Sequence, residues 1–202
     1  MAVMTTARTA SKRELTRAQI LDATVAAIAR EGAAGVRIDA VAQAAGVSTG
    51  LIYYHFSNRQ VLVRAGLAEA LERYPSQPRS PGERDPLAHL VEELQRHIGL
   101  PADGGDERGR VRTAGLQAAV FDPELRASLG HSTELWEAVV ARLVARVRGS
   151  ETAAEADLAT AETLTALADG VRQRVLSGTL APADAVRLVS TMVPALVAGG
   201  AA

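Results

Sequence analysis

Apolar residues recur along most of the chain at spacings of three and four, the period of a helix with one buried face. Near the start, Leu21, Val25 and Ile28 share a face with Ile20, Thr24 and Ala27 beside them, which predicts a helix over about 17–31. Thr16 and Gln19 have the spacing of a capping box at its start, and Gly32 and Gly35 end it. A second, short helix over about 38–45 carries Val41 and Ala42 inward. Gly46 then suits a left-handed turn, having no Cβ to clash. Ser48 can cap a third helix over about 49–56, whose Ile52 and Phe56 lie four apart on one face. So short a helix is unstable alone and must be held by packing. Ser57 or Asn58 caps a fourth helix running from Arg59 to about Tyr74, with Val61, Leu62, Ala65 and Leu71 as its apolar positions.

Residues 75–82 hold three prolines and no periodicity, the best linker in the chain. A fourth helix reaching both sides would couple head to body, so the boundary is placed near Ala70, giving domains 1–70 and 71–202. Beyond it, helices are predicted over about 86–98, 107–120 and 122–148, the last opened by Asp122 as cap and Pro123 in the first turn, with Gly130 able to bend it. Two more are expected over about 151–177 and after Pro182. Both carry more apolar surface than a lone solvated helix needs. Leu164, Val171, Val175, Leu188, Val189 and Met192 are therefore candidates for self-association, with plain burial in a five-helix body the equal alternative.

Composition agrees with an all-α fold. Of 202 residues 40 are Ala and only six are Phe, Tyr or Trp, which favours closely packed helices over a sandwich or barrel. The absence of cysteine excludes disulfides, thiolate nucleophiles and Cys-ligated metals. His55, His89, His97 and His131 show no metal-binding spacing, so no metal or cofactor is expected. With no long apolar run and no apolar stretch behind the basic N-terminus, the expectation is a soluble cytoplasmic protein without a membrane partner. The net charge of -1 conceals an asymmetry: residues 1–73 carry +3 and residues 74–202 carry -4, as suits a nucleic-acid-binding head on an acidic body.

Helix, short helix, glycine turn and a very short helix opening on hydroxyl residues is the outline of a helix-turn-helix. In that arrangement the last helix enters the major groove and its N-terminal residues face base edges. Its exposed residues here would be Ser48, Thr49, Gly50, Tyr53, Tyr54 and His55, with Arg59 adding a cation at the start of the next helix. Tyrosine hydroxyls can donate to phosphate oxygens. The bland alternative is a helical hairpin with partly buried tyrosines.

The ordered run Val41-Ala42-Gln43-Ala44-Ala45-Gly46-Val47-Ser48-Thr49-Gly50-Leu51-Ile52-Tyr53-Tyr54-His55-Phe56-Ser57-Asn58-Arg59 resembles the N-terminal domain of the TetR family of bacterial transcriptional regulators. The resemblance extends over residues 19–62, about a quarter of the chain; the rest resembles the family only in size and helical layout. It implies an N-terminal three-helix helix-turn-helix domain plus a helical ligand-binding and dimerisation body. It also implies a homodimer on palindromic operator DNA, usually a repressor released by a small-molecule effector. Tyr53 and Arg59 fall on positions that usually hold DNA backbone, and His55 where some members have a contacting histidine. Three residues depart from the pattern. Arg37 replaces a hydroxyl cap that touches phosphate and would substitute a stronger contact. Asp39 stands where several members are basic and is expected to face the second helix's N-terminus or pair with Arg37. Leu51 replaces a frequent hydroxyl.

No HExxH, GxSxG, P-loop or Glu-xx-His pattern occurs, so an enzyme is not expected; a helical adaptor without operator binding is the alternative function. A pocket for a small, mainly apolar molecule is placed among Leu90, Leu94, Leu116, Phe121, Trp136, Val139 and Leu167, with His97 or Arg112 as orienting groups. Thr113, Gln117, His131 and Thr133 are further polar candidates. The acidity of the body tips the ligand toward neutral or cationic, although most of those acids should be solvated.

Overall fold

The computed structural model describes residues 12–73, 85–99 and 105–199, and among them every regular element is a helix. Helix α1 (Lys12–Gly35) buries Ile20, Leu21, Thr24, Ala27 and Ile28, most of the face the spacing predicts, and leaves Val25 half-buried. It begins earlier than expected. Thr16 donates through Oγ1 to the Lys12 carbonyl at 2.9 Å, so it sits inside the helix and is not a cap. Gly32 at φ 72°, ψ 162° breaks the regular helix where the sequence predicts its end.

Helix α2 (Ile38–Ala45) closes on Gly46, which is left-handed at φ 66° and donates its N–H back to Gln43 and Ala42. Helix α3 (Thr49–His55) follows, with Phe56 as its extended C-cap. Helix α4 (Arg59–Arg73) opens at Asn58, whose Oδ1 accepts the Val61 N–H at 3.0 Å. Of the two candidate caps, Asn58 therefore fills the role. Gly66 lets α4 approach α1, since a Cβ there would come within 2.8 Å of Thr24 Cγ2. Ile52, Phe56 and Leu62 join Ile20, Leu21, Ile28 and Val41 in the buried interior of this unit.

The chain divides into two compact units, Met1–Gly66 and Leu67–Ala202, so the division falls within α4, a turn before the expected Ala70. The linker expected over residues 75–82 lies outside the described residues, as do Tyr74 and the Gly- and Asp-containing stretch at 100–104.

In the second unit, α5 (Pro86–Ile98) is capped by Asp85, which accepts the Ala88 N–H at 2.8 Å, and ends at left-handed Gly99. Helix α6 (Gly105–Ala119) follows. Helix α7 (Pro123–Val147) starts under Asp122 as its cap and runs through Gly130 without interruption. Helix α8 (Glu155–Leu176) starts four residues later than expected, where Asp157 turns back to accept the Ala154 N–H at 2.8 Å. Helix α9 (Pro182–Gly199) completes the unit. Helix α7 packs against α5, α6 and α8, and α8 against α9. Leu90, Leu94, Trp136, Val140, Val144, Leu164, Val189 and Val193 belong to the resulting core. Arg148 ties three helices together: it donates to Asp157 at 2.6 Å, to Thr160 at 3.1 Å and to the Val197 carbonyl at 2.9 Å. Among the described residues no helix is long and apolar enough to cross a membrane.

Candidate nucleic-acid interface

Helix α3 is seven residues long, and its exposure follows from which side it buries. Ile52 and Phe56 anchor it inward, so Thr49, Gly50, Tyr53 and Tyr54 face outward. Ser48 accepts the Leu51 N–H through Oγ at 3.2 Å, which satisfies one of the free amides of the first turn. The other first-turn amides point out of the helix start, where backbone N–H groups favour an anion. Tyr53 and Tyr54 are 54% and 67% exposed, large values for aromatic side chains. Leu51 is only half-buried, so losing a hydroxyl there removes one polar group from this edge.

The rings at this tip are organised. Tyr54 meets the half-buried His55 edge to face at 5.3 Å. Arg13 lies over the Tyr54 ring and Arg17 over the Phe56 ring, each at 5.5 Å. In the sequence Arg13 and Arg17 are only part of a basic N-terminus; the fold sets Arg13 over the exposed Tyr54 and Arg17 over the buried Phe56, where cations suit a polyanion. Gly50 has open space, with Ser48 Oγ at 3.8 Å the nearest atom to an added Cβ, so its want of a side chain is not demanded by packing within the chain.

Two predicted contacts are committed elsewhere. Arg59 donates from Nε to the Val36 carbonyl at 2.6 Å, and from Nη2 to Ala33 at 2.6 Å and Ala34 at 2.5 Å. Its guanidinium thus closes the end of α1, where carbonyls carry partial negative charge. A phosphate contact by Arg59 would have to compete with these bonds. Arg37 forms a two-pronged pair with Asp39, at 3.2 Å from Nε and 3.0 Å from Nη2. That hydrogen bond raises the Arg37 pKa and, joined by the Ala40 amide, lowers that of Asp39. Of the two placements expected for Asp39, pairing with Arg37 is seen, and it cancels the cation that Arg37 would bring to a phosphate.

In the second unit Leu90, Leu94, Trp136 and Val139 are buried together, with Leu167 packed against them. Leu116 is half-buried. Phe121 is 89% exposed at the turn between α6 and α7, so it lines no interior of this chain. The polar groups gather more than the spacing suggests. His97 stacks flat on Trp136, with ring centres 4.1 Å apart. Arg112 reaches Asp169 at 3.3 Å and Thr133 at 3.4 Å. Arg172 donates to the same Asp169 oxygen at 2.5 Å and to the His97 carbonyl at 2.9 Å. Burial first, then the charges of Arg172, Arg112 and Arg96, holds His97 well below the ordinary histidine pKa of 6.5, so its ring is neutral at pH 7. Asp169, Thr165 and Arg172 escaped the sequence reading. The available signal was charge at helical spacing within the apolar face of α8, beside Ala168 and Val171.

Of the residues expected to pair two chains, Leu164, Val171 and Val189 are buried in the core of their own unit. Val175, Leu188 and Met192 are half-buried and retain surface that a second chain could cover. Among the described residues, no group of three metal-binding side chains comes together.

Residues 20–65 match the family model described as bacterial regulatory proteins, tetR family. The HTH-type transcriptional regulator BetI of Paraburkholderia phytofirmans is 35% identical over 81 residues, which are 39% of this chain and 42% of that protein. The HTH-type transcriptional repressor KstR of Rhodococcus jostii is 36% identical over 74 residues, 37% of this chain and 35% of that protein. The chain thus matches about two-fifths of the length of these curated relatives. A solved structure of a TetR-family member from Streptomyces coelicolor A3 is 26% identical, with a TM-score of 0.61 over 90% of this chain and 97% of that one.

Proposed function

We infer, from a helix-turn-helix head that belongs to the TetR family of bacterial regulators, that the chain is a dimeric transcriptional regulator, a repressor released from palindromic operator DNA by a small molecule. The observation that carries this reading is α3: a Ser48-capped helix, anchored by Ile52 and Phe56, that leaves Thr49, Gly50, Tyr53 and Tyr54 facing outward. Tyr53 donates its hydroxyl to phosphate and sets the register, while Thr49 and Tyr54 meet base edges. His55 supports the Tyr54 ring. Repression follows from occupancy alone, since a dimer covering promoter DNA needs no contact with polymerase.

Two heads on one duplex must sit about 34 to 36 Å apart to enter successive major grooves. An effector acts by favouring a dimer shape with a different spacing, and a preference of about 2.7 kcal/mol weakens DNA binding about a hundredfold by reciprocal linkage. Helix α4 is suited to transmit this change. It begins at Arg59, and its Leu71 lies against α6 at Gly115, one turn from Arg112, so close that a Cβ at Gly115 would come within 3.3 Å.

Selection of bound sequences from a random duplex pool, followed by titration of the recovered site, tests the reading. A palindromic site should emerge. Tyr53→Phe should weaken binding to that site and to unrelated DNA alike, whereas Thr49→Ala or Tyr54→Ala should change the preference among site variants by about 1 to 3 kcal/mol. Recovery of no preferred sequence would refute operator binding and leave the adaptor reading.

A further inference from the structure

Neutralising phosphates with Lys and Arg supplies much of the strength of DNA binding. Two arginines of the head that the sequence offers for this are committed within the chain: Arg59 to three carbonyls and Arg37 to Asp39. Arg30 lies 3.9 Å from Glu31. Arg13 and Arg17 differ. Both are exposed and stand one turn, about 6 Å, apart on one face of α1. The contacts seen for them among the described residues are with aromatic rings and not with carboxylates: Arg13 with Tyr54 and Arg17 with Phe56, each at 5.5 Å. A ring face attracts a cation but offers its N–H groups no oxygen, so the donor fork of each guanidinium can still take an anion.

Their place matters as much as their charge. Helix α3 has seven residues and is about 10 Å long, close to the width of the major groove, about 12 Å. With Thr49 at the base edges, the His55 end of α3 reaches the wall of the groove, where the phosphates run. Tyr54 and Phe56 stand at that end, and α1 holds one guanidinium over each ring.

We propose that Arg13 and Arg17 are the phosphate clamp of the head, gripping the strand beside the C-terminal end of α3, and that Arg13 also steadies the Tyr54 ring against the base edges. Arg13 is then both a backbone contact and a positioning residue for base reading. Arg17 is a backbone contact alone, because the Phe56 ring beneath it is 3% exposed and reads nothing. Helix α1, which carries no part of the recognition surface in the sequence pattern, thereby becomes one wall of the interface. The proposal rests on the reading of α3 as the helix that enters the groove.

The test uses the full chain and two duplexes, the site recovered from the random pool and an unrelated sequence of equal length, titrated by fluorescence anisotropy over a series of salt concentrations. Arg13→Ala and Arg17→Ala should each weaken binding to both duplexes by about fivefold or more, and should lower the log–log salt slope by about 0.9 for each head. Lysine at either position should restore the slope. Arg13→Ala alone of the two should also change the ranking of single-base variants of the site. It should do so at the base pair that Tyr54→Ala affects, with no further change there in the double variant. Without DNA, all of the arginine variants should melt as the parent does, since both side chains are exposed. The clamp is overturned if either alanine variant keeps the parent's salt slope, or if the slope falls only together with the melting temperature, which would make the arginines structural. An unchanged ranking in Arg13→Ala overturns the positioning role. A parent that binds neither duplex rejects the regulator itself, whereas a parent that binds the selected site while the alanine variants keep its slope rejects the clamp alone.

Discussion

Arg59 illustrates how one side chain acquires a role its neighbours in sequence do not announce. Placed at the start of α4, it reads as a phosphate contact, but its guanidinium closes the end of α1 through three carbonyls. Hydrogen bonds to a charged group contribute about 1.5 to 3 kcal/mol. Arg59→Ala should therefore lower the urea midpoint by a stability loss of that order, and the salt dependence of DNA binding should change by less than the full unit expected for a lost phosphate contact. Chemical denaturation and a salt titration of the same variant measure both. His97 makes a second prediction at this scale. Its folded pKa is depressed, so below pH 6.5 the unfolded chain takes up a proton that the folded chain refuses. Stability contributed by the neutral ring is complete above that pH and declines as pH falls below it, by up to about 1.4 kcal/mol per unit. Unfolding curves between pH 7 and 5 should show this decline, and His97→Gln should flatten it.

At the scale of elements, glycine separates the needs of packing from those of the exposed face of α3. A Cβ on Gly66 would press on Thr24 Cγ2 at 2.8 Å where α4 meets α1, and both positions are buried. Gly66→Ala should destabilise the head by about 1 to 3 kcal/mol despite the better helix propensity of alanine. Gly50 has room for a Cβ, so Gly50→Ala should melt no lower than the parent and gain up to about 1 kcal/mol. A loss of DNA affinity in that variant would then report close approach of the duplex to α3; unchanged affinity would show that the duplex does not come so near. The capping residues are legible in the sequence at Ser48, Gly46 and Asp122 because each acts within a few residues of itself. Thr16 is not legible in this way, because the same hydroxyl can cap a helix or bond back to the carbonyl four residues earlier, and local spacing does not distinguish them.

For the whole molecule, the decisive property is whether two chains pair. Val189 is 1% exposed in the core of its own unit, whereas Leu188 beside it is only half-buried. Val189→Glu should unfold the second unit, since an unpaired buried charge costs several kcal/mol. Leu188→Glu should leave melting nearly intact and shift sedimentation from twice the 21.1 kDa chain mass to the single mass. A parent protein that sediments as a monomer while retaining operator binding would remove the dimer from the proposed mechanism.

The sequence by itself determined the helical class, the order of the helices and the outline of the helix-turn-helix head, because these rest on periodicity, caps and turn glycines that act over one or two turns of chain. Ile52 and Phe56 could be assigned inward, and Tyr53 and Tyr54 outward, from their register alone. Tertiary structure decided what long-range partners decide. Arg59 meets carbonyls more than twenty residues away, and Arg112 meets Asp169, which no local pattern connects to it. Apolar spacing marks a buried face without saying what buries it. Leu164, Val171 and Val189 therefore read equally well as core or as interface until neighbouring helices of the same chain were seen to cover them, and Phe121, apolar and beside the predicted wall, stood in the open.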